Sequence, residues 1–437
     1  MCDDSGHGAA FAEGLAEVRT GRRTLLTAGA AGLAFSTVAG AEAAAVLGGK
    51  ETRRRAYVLV LDGCRPDEIN RTLMPNVSRL RRDGLNHPFA SSLPVMETIP
   101  NHVMMMTGVR PDRSGVPANT IFDRRLGRTR DMSRPSDIRI QTVIQRLNRS
   151  GLRTGTVLSK EYLYGVFGGR ATHRWEPSPV IPISRHAPDL LTMQAALTMM
   201  DRFDPHLMFV NLGDIDRLGH TDLTGSLELE VLRKAALLST DRQVGRFVDH
   251  LKATGRWRRS LVIVLADHAM DWSLPHRVVH LQPALDDDPL LAGKVRIAGN
   301  GGADLLYWTG SDAERDRAVR RMIRIAESTA GVLQALDVSR ADSLRLGRRA
   351  GDVVVFCRAG WRFTDPEIYS NPIPGNHGHP ATRAIPLFLA GGHPVVPRGR
   401  SSSAHATTLD VAPTLSEFFG VGGPRGGYDG RSRLPRD

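Results

Sequence analysis

Apolar runs that end on an acid or an imidazole constrain this chain more than any other feature. Residues 56–61 (AYVLVL) end on Asp62, and residues 261–266 (LVIVLA) on Asp267 and His268. Residues 207–212 (LMFVNL) are followed by Asp216 and, four positions on, His220. Each run has the length and apolar content of a buried strand. Open α/β sheets build their sites at the carboxyl ends of parallel strands. His377, in the glycine-rich stretch Gly375-Asn376-His377-Gly378, adds a third imidazole. Three aspartates and three histidines, joined by the hydroxyl of Thr98, suit two divalent cations better than one.

Helical patterns alternate with these runs. Residues 75–83 carry Pro in the first turn and Gly84 just past the end, the usual helix punctuation. Residues 138–150, 189–203 and 227–253 read as further helices, and residues 152–158 as another strand. The alternation predicts an α/β fold, a mostly parallel central sheet with helices on both faces. Residues 269–350 are less regular, with a helix over 313–330, and are expected to form a small insertion or cap. Strand character returns at 351–357 and 384–390.

The first fifty residues read as an address. Arg22-Arg23 precedes a short apolar stretch, and residues 39–45 (AGAEAAA) have the small-residue spacing of a cleavage site. Residues 1–45 are therefore expected to be a cleaved twin-arginine signal peptide. The apolar stretch is too short and too interrupted for a stable membrane span. The remaining chain, residues 51–437, is expected to be one catalytic domain, secreted, periplasmic or held in the cell envelope.

Composition narrows the partners. Basic residues number 58 against 46 acidic, yet only five are lysines (Lys50, Lys160, Lys234, Lys252, Lys294). The arginines are spread along the chain, so no specific nucleic-acid footprint is expected. Aromatics at 5% leave little for base-stacking platforms. A general positive field still favours phosphate-bearing small molecules. Cys2 is expected to be lost with the signal segment, which would leave Cys64 and Cys357 and at most one disulfide.

The segment Glu97-Thr98-Ile99-Pro100-Asn101-His102 is the other informative place. An alcohol needs a base, a lowered pKa or a metal to act as a nucleophile. Thr98 also suits the cap of a helix that starts near Pro100 and runs to Thr107. Both roles are compatible, because a helix N-terminus favours a phosphate.

Seven stretches then make an ordered set: Leu61-Asp62-Gly63, Thr98-Ile99-Pro100-Asn101-His102 with Thr107-Gly108, Asp216-Arg217-Leu218-Gly219-His220, Ala266-Asp267-His268, Gly351-Asp352-Val353-Val354-Val355 with Gly360-Trp361, His377-Gly378, and Asp410-Val411-Ala412-Pro413-Thr414. In order and spacing the chain resembles the nucleotide pyrophosphatase/phosphodiesterase (type I phosphodiesterase) family of the alkaline phosphatase superfamily, over nearly all of residues 56–433. The resemblance implies an alkaline-phosphatase-like fold and a two-metal phosphoric ester hydrolase, with zinc the expected metal. It implies Thr98 as the nucleophile that forms a phosphothreonine. Asp62, Thr98, Asp267 and His268 would hold one cation, and Asp216, His220 and His377 the other. Asn119, otherwise a turn residue, would hydrogen-bond a non-bridging phosphate oxygen. The implied substrate is a small-molecule phosphodiester, nucleotide pyrophosphates included.

Some positions depart from the family pattern. Asp214-Ile215-Asp216 stands where Glu-Pro-Asp is common, and the i,i+4 spacing to His220 favours Asp216 over Asp214. His379, two residues on, is the competing loop histidine, and His377 is favoured over it. Cys64 replaces a larger apolar residue and is expected to pack. His102 and His87 are expected to be structural or surface residues, and His276 and His280 loop residues near the site. A sulfatase is disfavoured because Glu68 stands where the Cys64-Arg65-Pro66 context would need an arginine. A phosphomonoesterase of the same superfamily and an inactive, anion-binding envelope protein are the remaining rivals. Thr98 and Asn119 speak against the first, and the complete ligand set against the second.

Overall fold

The computed structural model describes residues 54–435, apart from 179–180, 182–183, 221–226, 369 and 371–372, together with Val18–Thr20. The rest of the expected signal segment lies outside the described residues.

Five parallel strands form the middle of the central sheet: β1 (Arg55–Leu61), β2 (Thr154–Leu158), β3 (His173–Trp175), β4 (Leu207–Leu212) and β5 (Ser260–Leu265). Their order is β3-β2-β4-β1-β5. Leu387–Ala390 adds antiparallel beyond β5, and Val18–Thr20 pairs antiparallel with β3 at the other side. Every residue of β1, β4 and β5 is buried. Successive strand residues point to opposite faces, so such strands need cover on both. The expected mostly parallel, two-sided α/β sheet is the sheet observed.

The cover comes from two groups of helices. α1 (Pro75–Asp83) and α4 (Asp189–Phe203) both pack against α6 (Leu227–Ala253). α2 (Thr98–Thr107) and α3 (Val143–Arg149) pack with Val411–Phe419. The helix expected over 138–150 is shorter. Thr142 starts it with a capping box, its hydroxyl accepting from the Gln145 amide at 3.3 Å while Gln145 Oε1 accepts from the Thr142 amide at 3.0 Å. Residues 138–141, before that cap, lie outside the helix.

A second, antiparallel sheet takes up part of the stretch expected to be irregular. Its order is Val295–Asn300, Ala303–Trp308, Val353–Cys357, Val332–Asp337, with the helix Arg315–Ser328 against it. Val353, Val355 and Cys357 belong to one buried cluster with Met322 and Trp308. Val354 and Phe356, on the opposite face, join the main core. The apolar run at 351–357 thus reflects a strand buried on both sides of this smaller sheet. Cys64 and Cys357 are both buried free thiols. Among the described residues no helix is long and apolar enough to cross a membrane.

The register of β1 against its neighbours positions the site. Leu61 pairs with Leu212, and Val60 with Leu265. The three strands therefore end level, and Asp62, Asp216 and Asp267 emerge at one edge.

Candidate active site

Asp62 leaves β1, Asp267 and His268 leave β5, and Asp216 and His220 sit one turn apart on α5 (Asp214–His220), directly after β4. Thr98 opens α2. It is not that helix's cap: Glu97 holds the cap position and Thr98 is the first helical residue. The Thr98 hydroxyl instead lies 3.1 Å from His268 Nε2. His377 arrives from its glycine-rich loop and stacks on His268, with ring centroids 3.7 Å apart.

Backbone carbonyls fix the orientation of two of the imidazoles. His220 Nδ1 donates to the Gly375 carbonyl at 2.8 Å, and His268 Nδ1 to the Ala269 carbonyl at 3.0 Å. His377 Nδ1 faces Glu97 Oε1 at 3.0 Å. Each Nε2 is therefore turned inward, and those of His220 and His377 meet at 3.2 Å. Asp216 Oδ1 and Asp267 Oδ2 are buried without a hydrogen-bond partner. Asp216 Oδ1 lies 3.4 Å from His220 Nε2, and Asp267 Oδ2 lies 3.5 Å from His268 Nε2. Electron pairs converging on one another in a dry site repel unless a cation joins them. Two triads have ligand atoms within 4.8 Å of one another: Asp62, Asp267 and His268, and Asp216, His268 and His377. His268 belongs to both. The donor set fits divalent cations, with the outer nitrogens of His220 and His268 held by backbone carbonyls and that of His377 turned to Glu97, as the outer nitrogens of metal-binding imidazoles generally are.

The charge balance agrees. Burial pushes the His377 imidazolium down, but Glu97 outweighs it and raises the pKa to about 9. His268 is lowered, first by burial. Burial also works against the Asp216 carboxylate, yet Lys160 and His220 hold it well below the usual range. Asp62 is raised by burial and by the neighbouring Asp267 carboxylate. A cavity of about 400 Å³ opens over Thr98, Asn119, His220 and His377.

The type I phosphodiesterase/nucleotide pyrophosphatase family model matches residues 56–380. The chain belongs to that family. It is 26% identical over 228 residues to ectonucleotide pyrophosphatase/phosphodiesterase family member 3 of Mus musculus, which covers 51% of this chain and 25% of that protein. It spans only about a quarter of the length of such relatives. Against bis(5'-adenosyl)-triphosphatase enpp4 of Xenopus laevis it is 22% identical over 381 residues, 84% of this chain and 78% of the other. The solved structure of murine ectonucleotide pyrophosphatase/phosphodiesterase 5, an inactive variant in complex with AMP, shares the fold with a TM-score of 0.68 at 16% identity. It covers 88% of this chain and 97% of that one.

The geometry sets apart the two members of each competing pair, Asp214 from Asp216 and His379 from His377. Asp214 turns away from the cluster to His186 Nε2 at 3.2 Å and the Asp189 amide at 3.1 Å, whereas Asp216 points in. His379 pairs with Asp271 at 2.9 Å, whereas His377 joins the other imidazoles. Asn119 lies beside Thr98. Its Oδ1 accepts from the Ile99 amide at 2.8 Å, an orphan donor of α2, and its Nδ2 donates to Glu97. His102, expected to be structural or at the surface, is buried under the site. It donates to the Thr98 carbonyl at 2.8 Å and lies 3.5 Å from Asp267 Oδ2. Cys64 packs against Met74.

Lys160 was not anticipated. Fully buried two residues past β2, it places Nζ 2.7 Å from Asp62 Oδ1 and 2.6 Å from Asp216 Oδ2. Asn211 supports the same assembly, donating to Asp62 Oδ2 at 2.8 Å. A signal did exist for Lys160: it follows the carboxyl end of a parallel strand, as the aspartates do, in a chain with only five lysines.

Proposed function

We propose that this chain is an exported two-metal hydrolase that cleaves phosphodiester bonds, nucleotide pyrophosphates included, through a phosphothreonine at Thr98. Zinc is the expected metal. The observation that carries this reading is Thr98 itself: a buried hydroxyl at the first turn of a ten-residue helix, 3.1 Å from the inward nitrogen of His268.

Bound cations at the two carboxylate–imidazole clusters would neutralise phosphate charge and lower the pKa of the hydroxyl and of water. Asp62, Asp267 and His268 would hold one beside Thr98, and Asp216, His220 and His377 the other. Thr98 Oγ1 forms its bond to phosphorus as the leaving oxygen departs in line on the far side. Water then breaks the Thr98–phosphorus bond and restores the hydroxyl. Asn119 spends one amide hydrogen on Glu97 and keeps the other for a non-bridging phosphate oxygen. The positive end of α2 favours the same group. The Xenopus relative's name and the AMP held by the murine protein support a nucleotide-like substrate. Arg22-Arg23 and the small residues at 39–45 support twin-arginine export.

Thr98→Ala tests the reading directly. Hydrolysis of bis(p-nitrophenyl) phosphate should fall to background, and Thr98→Ser should recover a fraction. Acid quenching of the wild type should trap a phosphoryl adduct on the peptide containing Thr98. Hydrolysis by Thr98→Ala at the wild-type rate would overturn the proposal.

A further inference from the structure

We propose that Arg217, backed by Tyr162, is a specificity-determining residue that binds a second oxyanion of the substrate, beside the phosphate attacked at Thr98. The inference rests on the phosphodiesterase reading and deepens it.

Arg217 and Tyr162 line the same cavity as Thr98 and Asn119. The Arg217 guanidinium lies over the Tyr162 ring at 5.6 Å, and Lys160 Nζ approaches the same ring at 5.8 Å. Arg217 Nε is buried without a hydrogen-bond partner. Among the described residues no carboxylate pairs with this guanidinium, although three acids line the cavity. Each of those acids is already engaged. Glu97 faces His377 at 3.0 Å, Asp216 holds Lys160 at 2.6 Å, and Asp365 accepts the Leu281 and Gln282 amides at 2.7 and 2.8 Å. A guanidinium held on an aromatic ring with unmet donors suits the fork of a phosphate or carboxylate.

Its position on α5 explains why it would read a second group. Asp216 and His220, at i,i+4, share the helix face that meets His377. Arg217 is one residue on and about 100° round the helix, so it flanks the reacting phosphate. The shared chemistry is an oxyanion, and both a second phosphate and a carboxylate supply one.

The test compares substrates that differ by one anionic group. Diadenosine diphosphate is set against adenylyl-adenosine, and carboxymethyl p-nitrophenyl phosphate against ethyl p-nitrophenyl phosphate. In Arg217→Met the kcat/KM ratio of the two-anion to the one-anion substrate should fall roughly tenfold to hundredfold, mostly through KM. Arg217→Lys should lie between. A fall in only one pair identifies the second oxyanion as phosphate or as carboxylate. Unchanged ratios in both pairs would overturn the inference, and so would an equal loss on all four substrates with loss of bound metal, which would mean damage at Asp216. If wild-type protein hydrolyses none of the four, the phosphodiesterase reading fails. Calorimetry on the metal-loaded protein then decides Arg217 separately: Arg217→Met should lose the preference for inorganic pyrophosphate over inorganic phosphate, and a retained preference, or none in the wild type, would overturn it.

Discussion

Lys160 Nζ lies 2.6 Å from Asp216 Oδ2, with both side chains cut off from solvent. The same ammonium lies 2.7 Å from Asp62 Oδ1. One cation at the end of β2 thus ties a carboxylate from β1 to one from α5. In Lys160→Met both acids lose their buried partner, and breaking such a pair from one side costs about 3–5 kcal/mol. Metal-free Lys160→Met should therefore unfold at clearly lower denaturant than metal-free wild type, and saturating zinc should narrow the gap. An unchanged midpoint would show that the ammonium is not structural.

Metal should stabilise the folded chain because the convergent donors repel without it. Chelator should abolish hydrolysis and lower Tm, and zinc should restore both. At a free metal concentration of a hundred times Kd, one site adds about 2.7 kcal/mol. Elemental analysis should find two equivalents in active protein. Full activity with fewer would count against the paired site.

In the metal-free protein His377 gives stability a pH dependence. Its pKa is raised on folding to about 9, because Glu97 outweighs burial. A raised histidine pKa adds stability that is fully present below the unfolded value, about 6.5, and is lost as pH climbs to about 9. The full effect is on the order of 3 kcal/mol. Denaturant titrations of metal-free protein should show this decline, and Glu97→Gln should flatten it. A decline of equal size in Glu97→Gln would assign it to other groups.

Asn119→Ala should do two separable things. Loss of the acceptor for the Ile99 amide should cost about 1 kcal/mol of stability. Loss of a phosphate donor should lower kcat on the order of a hundredfold. A stability loss with unaltered turnover would leave Asn119 as a helix support alone.

Much of this arrangement was legible in the chain because burial has a strong local signature. A strand covered on both faces reads as an unbroken apolar run, so β1, β4 and β5 and the acids after them stood out. α1, α4 and α6 keep the limits that their periodicity and punctuation indicated. Less was legible where the local signal was shared. The amphipathic pattern over 138–150 continued past the Thr142 cap, and only the cap chemistry set where α3 starts. Thr98 suited a cap and a site at once, and only the fold shows that the cap position belongs to Glu97 and that Thr98 is the first helical residue. The apolar run at 351–357 has the same composition whether it joins the large sheet or the small one.

The chain alone determined the fold class and which acids and histidines stand at strand ends, because apolar runs, helix punctuation and residue order are local properties. Tertiary structure decided how those groups face one another. It turned Asp214 and His379 away from the cluster to other partners, brought Glu97 onto His377, and buried Lys160 between Asp62 and Asp216. These outcomes depend on contacts between residues far apart in the chain, and the direction of a side chain across such a distance is set by packing, which no local pattern records.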